Sequence, residues 1–258
     1  MSIHPTAIVS PRATIHETAE IGPYCVIGDE VTIGARTRLM AHIFAEGVTV
    51  MGEDNLCYPY STVGVASQDR KYKGESAETI IGNGNTIREF VTIHRGTQGG
   101  GLVTRIGDGN LLMAYVHVAH DVTIGNQTIL ANGVTFAGHV TIDDYANIGA
   151  HSGVHQFCRV GRNSIIGGYS VVVQDVLPFS NTVSDREIRV FGANRIGLER
   201  AGLSTETIEG LQTAFRLLTR SGLNTSQAIE RIEAEIPETP ELRELIDFIR
   251  SSQRGVIK

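Results

Sequence analysis

The sequence predicts an all-β parallel β-helix of hexapeptide repeats followed by a C-terminal α-helical region. Three observations carry that assignment. The first is an apolar file at every sixth residue: Ile106, Leu112, Val118, Ile124, Leu130, Phe136, Ile142, Ile148, Val154, Val160, Ile166 and Val172. With 41% of the chain hydrophobic, such a run in a chosen register arises by chance with a probability of roughly two in a hundred thousand. The second is that the residue two before each aliphatic is small or β-branched, as at Ala19, Cys25, Val31, Val116, Val134, Ala146 and Ser164. The third is that the six-residue period stops near Phe191 and a helical one takes over.

A period of six fits neither the 3.6 of a helix nor the alternation of a lone strand. It suits short strands separated by turns, with three hexads making one triangular coil of eighteen residues. The repeat begins with a file from Ile3 through Val9, Ile15, Ile21, Ile27, Ile33 and Leu39, which continues through Ala45, Met51, Cys57 and Val63. A short file, Ile81, Ile87 and Ile93, precedes the long one. Cys25, Cys57 and Cys158 all occupy inward positions and are expected to be small core residues rather than disulfide or zinc ligands. In the tail, Ile208, Leu211, Phe215 and Leu218 share one helical face, ending at Ser221-Gly222. Asn224 with Gln227 predicts a capping box for a second helix through Ile229, Ile232 and Ile236. Thr239-Pro240 predicts the start of a third, carried by Leu242, Leu245, Ile246 and Ile249. The expected division is a prism over residues 1–190 and a three-helix region over 191–258.

Two segments interrupt the hexads, at 66–78 and 96–104. Solenoid insertions map to loops, and long loops are disproportionately functional. The first contains QDRKYKGE (Gln68 to Glu75), charged and aromatic where a connector would be glycine and serine, and a functional role is expected of it. The second, with Gly99-Gly100-Gly101, reads as a flexible or subunit-contacting excursion.

A formal net charge of −6 offers no basic footprint for nucleic acid or acidic lipid. The N-terminal MSIHPTAIV lacks a secretory pattern, and no eighteen-residue apolar run occurs. A cytoplasmic protein without an integral membrane segment is expected.

Four histidines fall in one band of the prism: His117, His120, His139 and His155. One coil after His120 comes Gly138, and one coil after Asp121 comes His139, so these four residues should form a two-by-two patch on adjacent coils. Histidine accepts a proton near neutrality, and a neighbouring carboxylate can fix its tautomer and support the imidazolium. Asp121 is placed for that role only if a turn separates it from His120, because adjacent strand residues face opposite ways. Gly138 can present a backbone N–H to a developing oxyanion. The patch reads as acyl transfer without a covalent intermediate, in which a histidine base deprotonates an acceptor hydroxyl that attacks a thioester. The rival is zinc, held by histidines of neighbouring chains with one position open. A noncatalytic trimeric scaffold, in which the histidines are merely solvated, is the third reading.

The segments NLLMAYVHVAHD (Asn110 to Asp121), AGH (Ala137 to His139), VHQFC (Val154 to Cys158), TIHRGT (Thr92 to Thr97) and QDRKYKGE resemble the UDP-N-acetylglucosamine O-acyltransferase family, which opens lipid A biosynthesis. The resemblance extends over nearly the whole chain. It implies a left-handed β-helix, a homotrimer with sites between neighbouring prisms, and no cofactor or metal. It implies a 3-hydroxyacyl chain on acyl carrier protein as donor and the 3-hydroxyl of UDP-N-acetylglucosamine as acceptor. His120 is then the general base, Asp121 its partner and Gly138 the oxyanion donor. Asp69, Lys71, His117, His139 and Gln156 are substrate contacts, with His155 close by, and Gly168 marks the position where acyl length is measured. Asn194 and Arg200 match positions associated with the nucleotide. The tail departs from the pattern, since Ile196 stands where a glutamate is usual and Ala201 where a second arginine is usual. Arg186, Arg189 or Arg195 could compensate, and a changed acceptor such as the 3-amino sugar is the enzymatic alternative.

Overall fold

A computed structural model describes residues 2–185 and 187–257, and in it the chain winds through three parallel sheets in strict rotation. The first sheet starts at Ser2–Ile3, the second at Ile8–Val9 and the third at Thr14–Ile15. Strands pair with the strand one coil on, so that Leu112 meets Leu130, Leu130 meets Ile148 and Ile148 meets Ile166. Both predicted inward positions of the hexad point into the core: Val116 and Val118, Val134 and Phe136, and Val140 and Ile142 are all buried. The three cysteines are buried and free. Burial pushes the Cys57 thiol up to about 12, which makes it a poor nucleophile.

Each face ends in a tight corner whose second residue is left-handed, as at Tyr115 (φ 66°), Asp121 (60°) and His139 (62°). Corners therefore stack as columns. At the first-to-second corner, Tyr24, His42, Tyr60, Phe90 and Tyr115 pile ring on ring at 4.8 to 5.2 Å. At the third-to-first corner, Asn55, Asn85 and Asn110 form a buried ladder in which each side-chain oxygen accepts the next coil's N–H and Nδ2.

Both insertions leave from the second-to-third corner, in consecutive coils. One lies between Thr62–Val65 and Glu78–Ile81, the other between Thr92–His94 and Val103–Ile106. The third sheet resumes in register beyond each, with Met51 paired to Ile81 and Ile81 to Ile106, while the second sheet shifts register between Val63 and Val65 where the first insertion leaves.

The end of the repeat differs from expectation. An antiparallel hairpin of Ser180–Asp185 and Glu187–Ala193 closes the first sheet across the expected boundary. Four helices follow instead of three: α1 (Arg195–Arg200), α2 (Thr205–Arg220), α3 (Thr225–Glu235) and α4 (Pro240–Ser251). The extra one, α1, is a short turn capped by Asn194. The capping box at Asn224 and Gln227 and the Thr239 cap with Pro240 in the first turn are both present. Ile236 ends α3 as an extended cap rather than continuing it. The long helix α2 buries Ile208, Leu211, Phe215 and Leu218 and packs on the hairpin. The tail is pinned to the prism by Arg162 on Glu244 at 2.7 Å and by Asp175, which accepts from Arg159 and Ser252. Among the described residues no helix is long and apolar enough to cross a membrane.

Truncating the middle rung of the asparagine ladder, Asn85→Ala, takes the shared acceptor from the buried Asn110 N–H and Nδ2. Urea unfolding should register a loss of about 2–4 kcal/mol.

Candidate active site

The second-to-third corner is where the predicted residues converge. His120 and Asp121 are the two turn residues between His117–Val118 and Thr123–Ile124. The left-handed φ of Asp121 supplies the turn that alternation along a strand would have forbidden, and it brings both side chains to one side. His120 Nδ1 lies 2.8 Å from Asp121 Oδ2. With the carboxylate as acceptor, Nδ1 carries the proton and Nε2 is left as the basic nitrogen. The Asp121 side chain is almost wholly buried and also accepts from the Thr97 backbone N–H at 2.8 Å and the Thr97 hydroxyl at 2.6 Å.

One coil on, Gly138 and His139 occupy the same two turn positions. The fit of Gly138 is steric, because a Cβ there would stand 2.4 Å from His120 Cε1 and 2.6 Å from Nε2. Any L side chain would displace the imidazole. The Gly138 N–H donates to no acceptor among the described residues, whereas the His139 N–H is taken up by His120 O at 3.1 Å. The His139 ring stands edge-on to His120 at 5.1 Å and stacks on Phe157 at 4.4 Å. Burial is the main influence lowering its pKa, with Asp121 opposing.

His120, His139 and Phe157 line a cleft of about 380 Å³ together with Gln68, Asp69, Lys71, His94, His117, Ala119 and Gln156, while Asp121 is buried behind His120. The first insertion thus carries its expected residues over the corner. Asp69 holds its own turn, accepting from the Lys71 N–H at 3.0 Å. His117 Nδ1 sits 2.7 Å from Thr92 Oγ1, and burial, then His94, pushes its pKa down to about 4. His94 Nδ1 donates to Ala66 O at 2.7 Å, and burial lowers its pKa as well. Both rings are neutral at physiological pH, which suits them to hydrogen bonding rather than to ion pairing. His94, Gln68, Ala119 and Phe157 are lining residues that sequence reasoning missed, although counting one coil from His139 would have found Phe157.

Three expectations need correction or division. The 96–104 insertion is no free excursion, since it folds over the histidine–aspartate corner and grips Asp121 through Thr97. His155 does not line the cleft; it is exposed two coils beyond the dyad, with Nδ1 3.2 Å from Arg254 Nη2. Asn194 and Arg200 lie in a separate groove of about 790 Å³ on the first sheet, beside Tyr145, Asn147, Ile196 and Ala201. There Asn194 caps α1 and donates to Asn163 O at 3.0 Å. Arg195 pairs with Glu199, Arg189 lies over Phe191, and Arg186 falls outside the described residues. Gly168 is at the first-to-second corner, away from the dyad.

His120, Asp121 and His139 place three potential metal donors within 4.8 Å of one another. The Asp121 carboxylate is already engaged by Thr97 and His120, so the arrangement as it stands is a hydrogen-bonded acid–base dyad.

The His117 shift has a thermodynamic consequence. Below about 6.5 the unfolded chain protonates this histidine, while the folded chain does not until about 4. Between those values the unfolded state binds more protons, so stability falls as pH is lowered through the window. His117→Asn should remove that part of the dependence: the melting temperature of wild type relative to the variant should be lower at pH 5 than at pH 7.5.

Comparison with known proteins agrees with this geometry. The family described as "Udp N-acetylglucosamine O-acyltransferase; Domain 2" matches residues 175–257, and the bacterial transferase hexapeptide family matches residues 104–138. The acyl-(acyl-carrier-protein)--UDP-N-acetylglucosamine O-acyltransferase of Thermodesulfovibrio yellowstonii is 48% identical over 256 residues, 99% of each chain. The UDP-N-acetylglucosamine acyltransferase structure from Bacteroides fragilis superposes with a TM-score of 0.95 at 43% identity, covering 99% of this chain and 100% of that one. The one from Francisella novicida gives 0.95 at 39% identity, covering 99% and 93%. With a three-sheet hexapeptide prism, a histidine–aspartate corner and full-length relatives of this kind, the chain belongs to the UDP-N-acetylglucosamine O-acyltransferase family.

Proposed function

We propose that this chain transfers a 3-hydroxyacyl group from acyl carrier protein to the 3-hydroxyl of UDP-N-acetylglucosamine, the first step of lipid A biosynthesis. The observation that carries the reading is the corner itself: His120 Nε2, its ring backed by Asp121, packs against Gly138, where an added Cβ would stand 2.6 Å from it, and the Gly138 N–H has no acceptor among the described residues. Nε2 takes the proton of the sugar hydroxyl as its oxygen attacks the thioester carbon. The tetrahedral oxyanion accepts from Gly138, the C–S bond breaks, and the imidazolium returns its proton to the leaving thiol. Asp121 holds the ring and offsets its positive charge during the step. His117, His139, Gln156, Asp69 and Lys71 line the cleft as substrate contacts, and no cofactor or metal takes part.

The working unit is a homotrimer of left-handed prisms. The histidine cleft and the Asn194–Arg200 groove open on different edges of one prism. A sugar nucleotide held by both sets must therefore bridge two copies of the chain. The prism of residues 1–190 supplies the chemistry, the 191–258 tail supplies nucleotide contacts, and the protein works in the cytoplasm. For the acyl chain, Gly153 offers an open notch on the second sheet, where an added Cβ would meet nothing within 4 Å. Gly168 adds no side chain at the nearby corner, which favours a long chain.

A second acceptor has one observation behind it. Ile196 and Ala201 leave the groove without the charges usual in the family, which fits a changed sugar such as the 3-amino analogue. Mass spectrometry of reactions containing 3-hydroxyacyl carrier proteins and either sugar nucleotide decides between the two. The expected product is acylated UDP-N-acetylglucosamine, with His120→Ala lowering turnover by about 10²-fold or more while the fold is retained. Product from the amino sugar alone would assign the changed acceptor, and no product from either would favour a scaffold.

A further inference from the structure

We propose that Thr97, carried by the second insertion, is the positioning residue that aims Asp121 at His120. The inference rests on His120 being the base. Thr97 is 5% exposed and lies outside the hexad pattern, so core packing does not account for it. It engages both oxygens of one carboxylate, its N–H on Oδ1 and its hydroxyl on Oδ2. That two-point grip fixes the rotation of the carboxylate plane and turns Oδ2 toward His120 Nδ1, 2.8 Å away. Swinging the carboxylate off the imidazole breaks both bonds.

The grip is built by the insertion's own fold. Thr97 O accepts from the Gly100 and Leu102 N–H groups at 3.0 and 2.9 Å, closing the loop around a 3₁₀ turn, Gln98–Gly100. Gly100 lies against the carboxylate so closely that a Cβ would stand 2.0 Å from Asp121 Cγ. From the other side, the Asp121 N–H donates to Thr104 Oγ1 at 2.8 Å. The loop is also braced by the first insertion: Glu75 accepts the Gln98 N–H at 3.2 Å with one oxygen and the Lys73 N–H at 2.8 Å with the other. The segment bearing Asp69 and Lys71 and the segment gripping Asp121 are thus one connected unit above the corner.

Steady-state kinetics of Thr97→Val, Thr97→Ser and Gly100→Ala in the full-length protein test this. Valine keeps the shape and removes the hydroxyl donor, whereas serine keeps the donor. Thr97→Val should lower kcat about ten- to a hundredfold, the effect of one hydrogen bond to a charged group. KM for both substrates should stay within about twofold, and the acid limb of the kcat/KM profile should move to lower pH as the imidazolium loses its fixed partner. Thr97→Ser should restore kcat and the limb. Gly100→Ala, which pushes the carboxylate without touching its donors, should reproduce the kcat loss. Wild-type kcat in Thr97→Val, a rise in KM alone, or equal damage in the valine and serine variants would each overturn the proposal. An inactive His120→Ala control alongside such a result leaves the base assignment standing, and an active one removes both.

Discussion

A coil of eighteen residues places each residue directly below its counterpart one turn earlier, and the inter-strand hydrogen bonds hold the two about 4.8 Å apart. The side-chain arrangement at the histidine–aspartate corner depends on that translation. His120 and Asp121 are eighteen residues from Gly138 and His139, and these are eighteen from Gln156 and Phe157. The stack brings three dipeptides far apart in sequence to one corner, from which His120, His139, Gln156 and Phe157 line the cleft. It also explains the glycine, because a side chain at 138 would occupy the space into which the imidazole of the coil above projects.

The corner does the rest. In a strand, neighbours face opposite ways, so a histidine–aspartate pair adjacent in sequence could not cooperate. A left-handed second residue, common to corners throughout the prism, folds the pair together at no cost peculiar to the site. Rigidity comes from the ladder on either side, which keeps its pairing across both insertions. The corner is thereby mounted on an ordered scaffold, and the loops add what the repeat cannot: cleft-lining side chains from the first, and a grip on the carboxylate from the second.

Much of this was legible in the sequence, and the reasons are physical. Hexad periodicity specifies two inward positions per strand, which is enough to define the prism and to align His120 with Gly138 by counting. Caps at Asn224 and Thr239 are local hydrogen-bonding signals and located two helices. Thr97 was not legible, because the conformation of an insertion follows from no period and a glycine-rich loop reads as slack. The hairpin ending at Ala193 escaped for a related reason: once the hexads stop, its antiparallel pairing carries no spacing signature. Asn194 and Arg200 are picked out only by resemblance to family positions, and their separation from the histidines emerges only from the three-dimensional arrangement of faces.

The pH dependence of kcat/KM in wild type and in Asp121→Asn tests most directly whether a histidine backed by a buried carboxylate does the chemistry. The acid limb reports the base in the free enzyme. Loss of the neighbouring negative charge should move it to lower pH by about one unit, with kcat reduced. An acid limb in the same place in both proteins would contradict the dyad.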